Sequence, residues 1–368
     1  MRRLRPFDAE GFSLVELVVS AGIMLAVTAG LFAVMNPARG TFQAQLERSD
    51  MQQRLRVAAD AVYQDLVIAG AGRYAGADAA SLGHFFPPVL PMRRGLVGAD
   101  PPGTVKADTI TLLYVPATSA QTTTSQVMAA TSAALHVAAQ AGCPSDDRLC
   151  GFAIGMNVLI DDDTGAYDTF TIAGVDSAAL TIVHTPADLS KAYGSGARVT
   201  QVVSVTHWLN ASANQLTRYD GVGSDAASAD NVASLQFEYY GEPQPPAMKR
   251  PGIDESATYG PPPPKVGTTA GSSWPAGENC IIQLVGDDQT PRLAALGGGP
   301  SLVRLDPATL SDGPWCPDPA NPNRWDADLL RVRKIVVTIR VRSAFTALRL
   351  PDQEIRFEVT PRNLNLER

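Results

Sequence analysis

One run of 24 residues, Phe12 to Met35 (FSLVELVVSAGIMLAVTAGLFAVM), carries a single charge, Glu16. No other feature limits the chain's possible folds so sharply. A helix of that length reaches about 36 Å at ~1.5 Å per residue, enough to cross a ~30 Å hydrocarbon core with some tilt. Arg2, Arg3 and Arg5 precede the run and little cation excess follows it. That asymmetry predicts an N-terminus in the cytoplasm and export of everything after about residue 40. An ionisable group inside a spanning helix costs roughly 2.5–3.5 kcal/mol on insertion scales, which makes Glu16 a candidate functional residue. It also lies near the start of the run, where it could snorkel to the interface at little cost.

The residues around Glu16 separate these readings. Gly11-Phe12-Ser13-Leu14-Val15-Glu16-Leu17 resembles the type IV prepilin processing site: glycine ends the leader, an aromatic residue begins the mature chain, and a glutamate stands fifth. An ordinary secretory signal has its small-residue cleavage site after the apolar segment, and Met35-Asn36-Pro37 is a poor match for one. The resemblance implies cleavage between Gly11 and Phe12 by a prepilin peptidase, methylation of the Phe12 amine, and retention of the helix for assembly. It further implies that Glu16 pairs with the terminal amine of a neighbouring subunit. A carboxylate and an ammonium, each costly in an apolar filament core, would neutralise one another there.

Beyond the run, Asn36-Pro37 is expected to bend or break the helix. Phe42, Leu46, Leu55, Ala58, Val62, Leu66 and Ala69 then recur at mostly helical spacing until Gly70-Ala71-Gly72. Residues 73–106 read as loop with short pieces. Strands are expected at Thr109–Val115, Met156–Ile160, Thr169–Val175, Leu180–His184, Arg198–Trp208 and Gln215–Tyr219. The clearest alternation lies in Leu235–Tyr239, Ile335–Val341 and Ile355–Val359, where Gln236, Glu238, Arg340, Arg356 and Glu358 suit a solvated face. The sum is an α+β fold: a long N-terminal helix packed on the dry side of an antiparallel sheet.

The expected organisation is a leader (1–11), a transmembrane and assembly helix (12–35), its amphipathic continuation (36–72), a β-rich head (73–240), an insertion (241–327) and C-terminal strands (328–368). The insertion holds 16 of the 28 prolines, including Pro261–Pro264, and Trp274, Trp315 and Trp325. It reads as a flexible excursion with a partly folded portion. The strand sequences Leu235–Tyr240, Ile339–Ser343 and Val359–Asn363 look like the sheet of large minor pilins, the PilW-like group related to the J-type pseudopilins of type II secretion. Asp65-Leu66 and Ala69-Gly70 at the helix end fit the same pattern.

Other chemistries find little support. Asp and Glu outnumber Lys and Arg by 37 to 30, and no basic block occurs, which argues against nucleic-acid binding. The sequence contains neither a GxxxxGK loop nor a GxSxG elbow, and His84, His136, His184 and His207 are scattered as surface or sheet residues. Asp161-Asp162-Asp163-Thr164-Gly165, with Asp168 beyond, suits a tight turn better than a calcium loop, since it lacks the closing glutamate. Outside the cytoplasm, four cysteines favour disulfides over zinc, and local pairs Cys143–Cys150 and Cys280–Cys316 are favoured among three connectivities.

The functional expectation is therefore a non-catalytic minor pilin or pseudopilin without cofactor or metal. It would sit in the inner membrane with its head in the periplasm before entering a pilus or pseudopilus. Expected partners are the prepilin peptidase, major and minor sibling pilins or pseudopilins, the inner-membrane assembly platform and the lipid bilayer. The rival is an extracytoplasmic enzyme or ligand-binding domain on an uncleaved signal anchor.

Overall fold

The computed structural model describes residues 13–72, 82, 86–94, 107–118, 120–162, 165–185, 189–221, 223–243, 276–277, 282–291, 301–311, 315–317, 321 and 323–364. One helix, α1 (Leu14–Ile68), runs for 55 residues, about 80 Å at ~1.5 Å per residue. It is long and apolar enough to cross a membrane. Of the bend or break expected at Asn36-Pro37, the break does not occur, and the helix continues through both residues. An interior proline costs about 3 kcal/mol in lost hydrogen bonding and steric conflict, which a long cooperative helix tolerates once nucleated on both sides.

The two halves of α1 have opposite environments. Every residue from Ser13 to Met35 is exposed. From Met51 onward a stripe of Met51, Leu55, Ala58, Val62, Leu66 and Ala69 is buried. Each of the large members contributes roughly 1.5–3 kcal/mol by leaving water. Phe42 and Leu46, which share the same sequence period, instead remain 63% and 53% exposed, because head contact begins only at Glu47. Gly70 ends the helix at φ +80°, and a Cβ there would stand 3.0 Å from both Leu364 and Pro88. Its N–H donates to Leu113 O, tying the turn to the sheet.

Two antiparallel sheets build the head around α1. The first contains β1 (Val89–Pro91), β2 (Thr109–Tyr114), β9 (Val203–Asn210), β10 (Gln215–Tyr219) and β11 (Asp225–Asp230), in the order β1-β2-β9-β10-β11. The second contains β12 (Val232–Gly241), β15 (Val303–Leu305), β18 (Val332–Val341) and β19 (Gln353–Val359), in the order β15-β12-β18-β19. Leu235, Phe237, Tyr239, Ile335, Val337 and Ile339 point into the core, and Gln236, Arg340, Arg356 and Glu358 point out. Gly241 occurs where β12 slips register against β18, pairing with Val332.

Between β2 and β9, which are neighbours in the first sheet, the chain makes a separate unit. Strands β3 (Gln121–Thr123), β4 (Ala134–His136), β5 (Asn157–Asp161), β6 (Tyr167–Asp176), β7 (Thr181–Thr185) and β8 (Arg198–Gln201) form a sheet in the order β3-β8-β5-β6-β7-β4. A bridge between Thr124 and Val137 joins its two outer strands, so the sheet closes into a barrel. Val158, Ile160, Phe170, Ile172, Ile182 and Val199 fill it. The strand period of two sends Leu159 and Tyr167 the other way, into the head core, where Tyr167 stacks on Phe86 with ring centroids 4.6 Å apart.

The barrel corrects the single strand expected over Arg198–Trp208. β8 belongs to the barrel and β9 to the head, and buried Val202 is the joint, its N–H donating to Asn157 O. The loop expected over 73–106 contains β1 within its described part. The insertion is not wholly an excursion. It contributes edge strand β15 and buried Leu310, Cys316 and Trp325, together with two small hairpins, β13 (Ile282–Val285) with β14 (Asp288–Pro291) and β16 (Trp315–Cys316) with β17 (Trp325–Asp326). Trp274 and Pro261–Pro264 lie outside the described residues.

Candidate assembly segment and the cluster that anchors it

At the start of α1, Ser13 is the N-cap. Its hydroxyl accepts from Val15 N at 3.3 Å, and the Glu16 carboxylate reaches back to accept from Ser13 N at 3.1 Å. This capping box satisfies donors that a helix N-terminus otherwise leaves bare. Glu16 therefore stands on the exposed surface of an exposed helix, bonded to its own backbone. Gly11 and Phe12, the expected processing junction, lie outside the described residues.

The other end of α1 is fixed by charge. Asp65 receives His207 Nε2 at 2.9 Å and Arg218 Nε at 2.9 Å, with Arg218 Nη2 on its second oxygen at 3.3 Å. His207 on β9 is wholly buried, and Arg218 on β10 is partly exposed. Burial would raise the Asp65 pKa, but hydrogen bonds from His207 and Arg218, with their charges, more than offset it and hold the carboxyl below its usual range. Burial and the facing Asp65 charge push the Tyr114 phenol up. The period of the helix marks Asp65 only as polar, and its partners lie 142 and 153 residues away. No local signal could have joined them.

The acidic stretch expected to turn lies in the β5–β6 hairpin. Its carboxylates are engaged by protein groups. Asp161 meets Arg198 Nε at 2.7 Å and Asp162 meets Lys191 Nζ at 2.6 Å, while Asp163 lies outside the described residues. Asp168 accepts from Ser190 N, Ser190 Oγ and Tyr193 Oη at 2.8–3.0 Å, and from Asn323 Nδ2 of the insertion. Burial pushes its pKa up, and those neutral donors offset the rise only in part. Trp325 Nε1 donates to Gly165 O at 3.1 Å, so the insertion is strapped to this hairpin twice.

Cys143 and Cys150 are joined across 5.6 Å between Cα atoms, closing the loop from β4 to β5. Cys316 is also disulfide-bonded, and Cys280 lies outside the described residues. His136 is exposed beside Thr181, and His184 packs on Phe170 with Nε2 2.8 Å from Ser132 O. His84 is outside the described residues. Among the described residues, no three His, Cys, Asp or Glu side chains converge as metal ligands. No protein-family model, curated protein or solved structure matches the chain.

Proposed function

We propose that the chain is a minor pilin or pseudopilin, an assembling subunit of a type IV pilus or a type II secretion pseudopilus. One observation carries the reading. A single helix has an apolar first half with no protein around it and a second half that is the cover of a folded head. Such a division suits a subunit that waits in the inner membrane, head in the periplasm, and later exchanges lipid for the helices of its siblings. Glu16 would then exchange its own Ser13 N–H for the methylated Phe12 amine of a neighbour, converting a cap into a register mark. The head is bulky for a repeating shaft subunit, which favours a tip or priming position.

The test is the mature N-terminus. Mass analysis of protein extracted from membranes is expected to find a chain beginning at methylated Phe12, the product of a prepilin peptidase. A chain still carrying Arg2 to Gly11 would support the signal-anchored alternative and end the pilin reading. For Glu16→Ala, membrane insertion is expected to persist, since removing a charge eases it. Incorporation into filaments, measured by immunoblot of sheared fractions, is expected to fall at least tenfold, the effect of about 1.4 kcal/mol or more of lost pairing. Normal incorporation would remove the assigned role.

A further inference from the structure

At the end of the head nearest the exposed half of α1, the loop joining β18 to β19 is held in an unusual way. Glu47 is buried, only 2% exposed, and its Oε1 accepts from Ala344 N at 2.7 Å and from Arg54 Nη1 at 3.3 Å. The Ser343 hydroxyl accepts from Phe345 N and donates to Phe345 O, both at 3.1 Å. These bonds fix the loop so that it presents Phe345 to solvent, 63% exposed. Arg342 and Arg349 flank it, both exposed, and no acidic residue occurs from Val341 to Pro351. Arg340, just outside, faces Asp352 at 3.7 Å, whereas neither Arg342 nor Arg349 has an ion pair among the described residues. On the helix just before the head, Phe42 and Leu46 are also exposed.

We infer that this loop docks on the surface of an anionic bilayer, with Phe345 in the interface and Arg342 and Arg349 on headgroup phosphates. An aromatic side chain between two unpaired guanidiniums on a chain of net charge −7 matches a surface that is greasy below and negative above. The inference rests on the membrane-spanning reading of α1 and not on the pilin reading. Glu47 stands 12 residues beyond Met35, about 18 Å of helix against a headgroup layer only about 5–8 Å deep. An upright helix would keep the loop clear, so docking requires the head to lean. Asn36-Pro37 lies in that interval, and a proline inside a helix is where bending is easiest.

The experiment uses the full chain with Thr346→Cys, an exposed loop position next to the retained Phe345, spin-labelled and reconstituted in vesicles of about three parts phosphatidylethanolamine to one part phosphatidylglycerol. The described native cysteines are all disulfide-bonded and do not compete for label. Relative to detergent solution, the ratio of oxygen to aqueous-nickel accessibility is expected to rise several-fold. It should fall back with Arg342→Gln plus Arg349→Gln, since each arginine at an anionic surface is worth roughly fivefold in partitioning. It should also fall in phosphatidylcholine vesicles and with Pro37→Ala, which stiffens the interval. A label that stays water-accessible in a chain resisting carbonate extraction overturns the docking and leaves the membrane helix standing. A chain that carbonate removes overturns both. Protection that appears only when sibling subunits are added assigns the loop to a protein partner instead.

Discussion

Gly241→Ala is expected to unfold the head. A Cβ at this position would stand 2.1 Å from Arg331 O and 2.7 Å from Leu305 Cδ1. The first is backbone and cannot rotate away, because Arg331 O already accepts from Glu242 N at 3.0 Å, and the Arg331 side chain is locked to Asp328 at 2.7 Å and to Glu242 O at 2.8 Å. Relief would require separating β12 from β18 where the insertion leaves and rejoins the sheet. The expected loss is about 4 kcal/mol or more, beyond ordinary overpacking because the contact is with main chain. Urea denaturation of the detergent-solubilised protein, followed by near-ultraviolet circular dichroism, measures it. Gly223→Ala, with open space around the added methyl, is the control and should shift stability by no more than about 0.5 kcal/mol. Equal midpoints for the two variants would refute the account of this junction.

Asp65→Ala is expected to loosen α1 from the first sheet. It leaves His207 buried without its partner and Arg218 without its pair. Breaking a buried ion pair costs roughly 3–5 kcal/mol, and the partial exposure of Arg218 lowers the expectation to about 2–4 kcal/mol. The pH dependence follows from the depressed Asp65 pKa. A carboxyl that releases its proton more readily folded than unfolded stabilises the fold fully above about pH 4. That contribution disappears as pH falls through the lower folded value. Wild-type protein should therefore lose stability more steeply than Asp65→Ala below about pH 4, narrowing the gap between the two curves to what the protonated side chain still contributes in strong acid. Parallel curves across that range would show that Asp65 contributes nothing through its charge. Hydrogen exchange of Val62 to Ile68 amides gives a local readout, expected to accelerate in the variant.

Much of the fold is legible in short stretches of sequence. The three alternating segments of the second sheet lie in adjacent paired strands, because a half-buried antiparallel strand imposes its period of two on side-chain choice. The same logic reached β2, β5, β6 and β10. It could not find β3 (QTT) or β4 (ALH), three residues each, which owe their conformation to the strands beside them. Phe42 and Leu46 continue the helical period with no core to face, since periodicity reports a helix face and not what covers it. Barrel closure through Thr124 and Val137, and the attachment of Asp65 to His207, are matters of distant chain meeting. Glu16 stood out for the opposite reason. A charge in 24 otherwise uncharged residues is conspicuous without any structure.

The placement of the barrel has a kinetic consequence. β2 and β9 are paired neighbours, Tyr114 opposite Val203, yet nearly ninety residues separate them along the chain. Closing so long a gap is entropically slow if the intervening chain is a coil. If that chain has already collapsed into its own unit, its two ends emerge side by side and the gap shrinks to a few residues. Refolding should therefore be hierarchical: pulse-labelled amides of Val158 to Ile160 should gain protection before those of Ile110 to Leu113, and the reverse order would exclude this route.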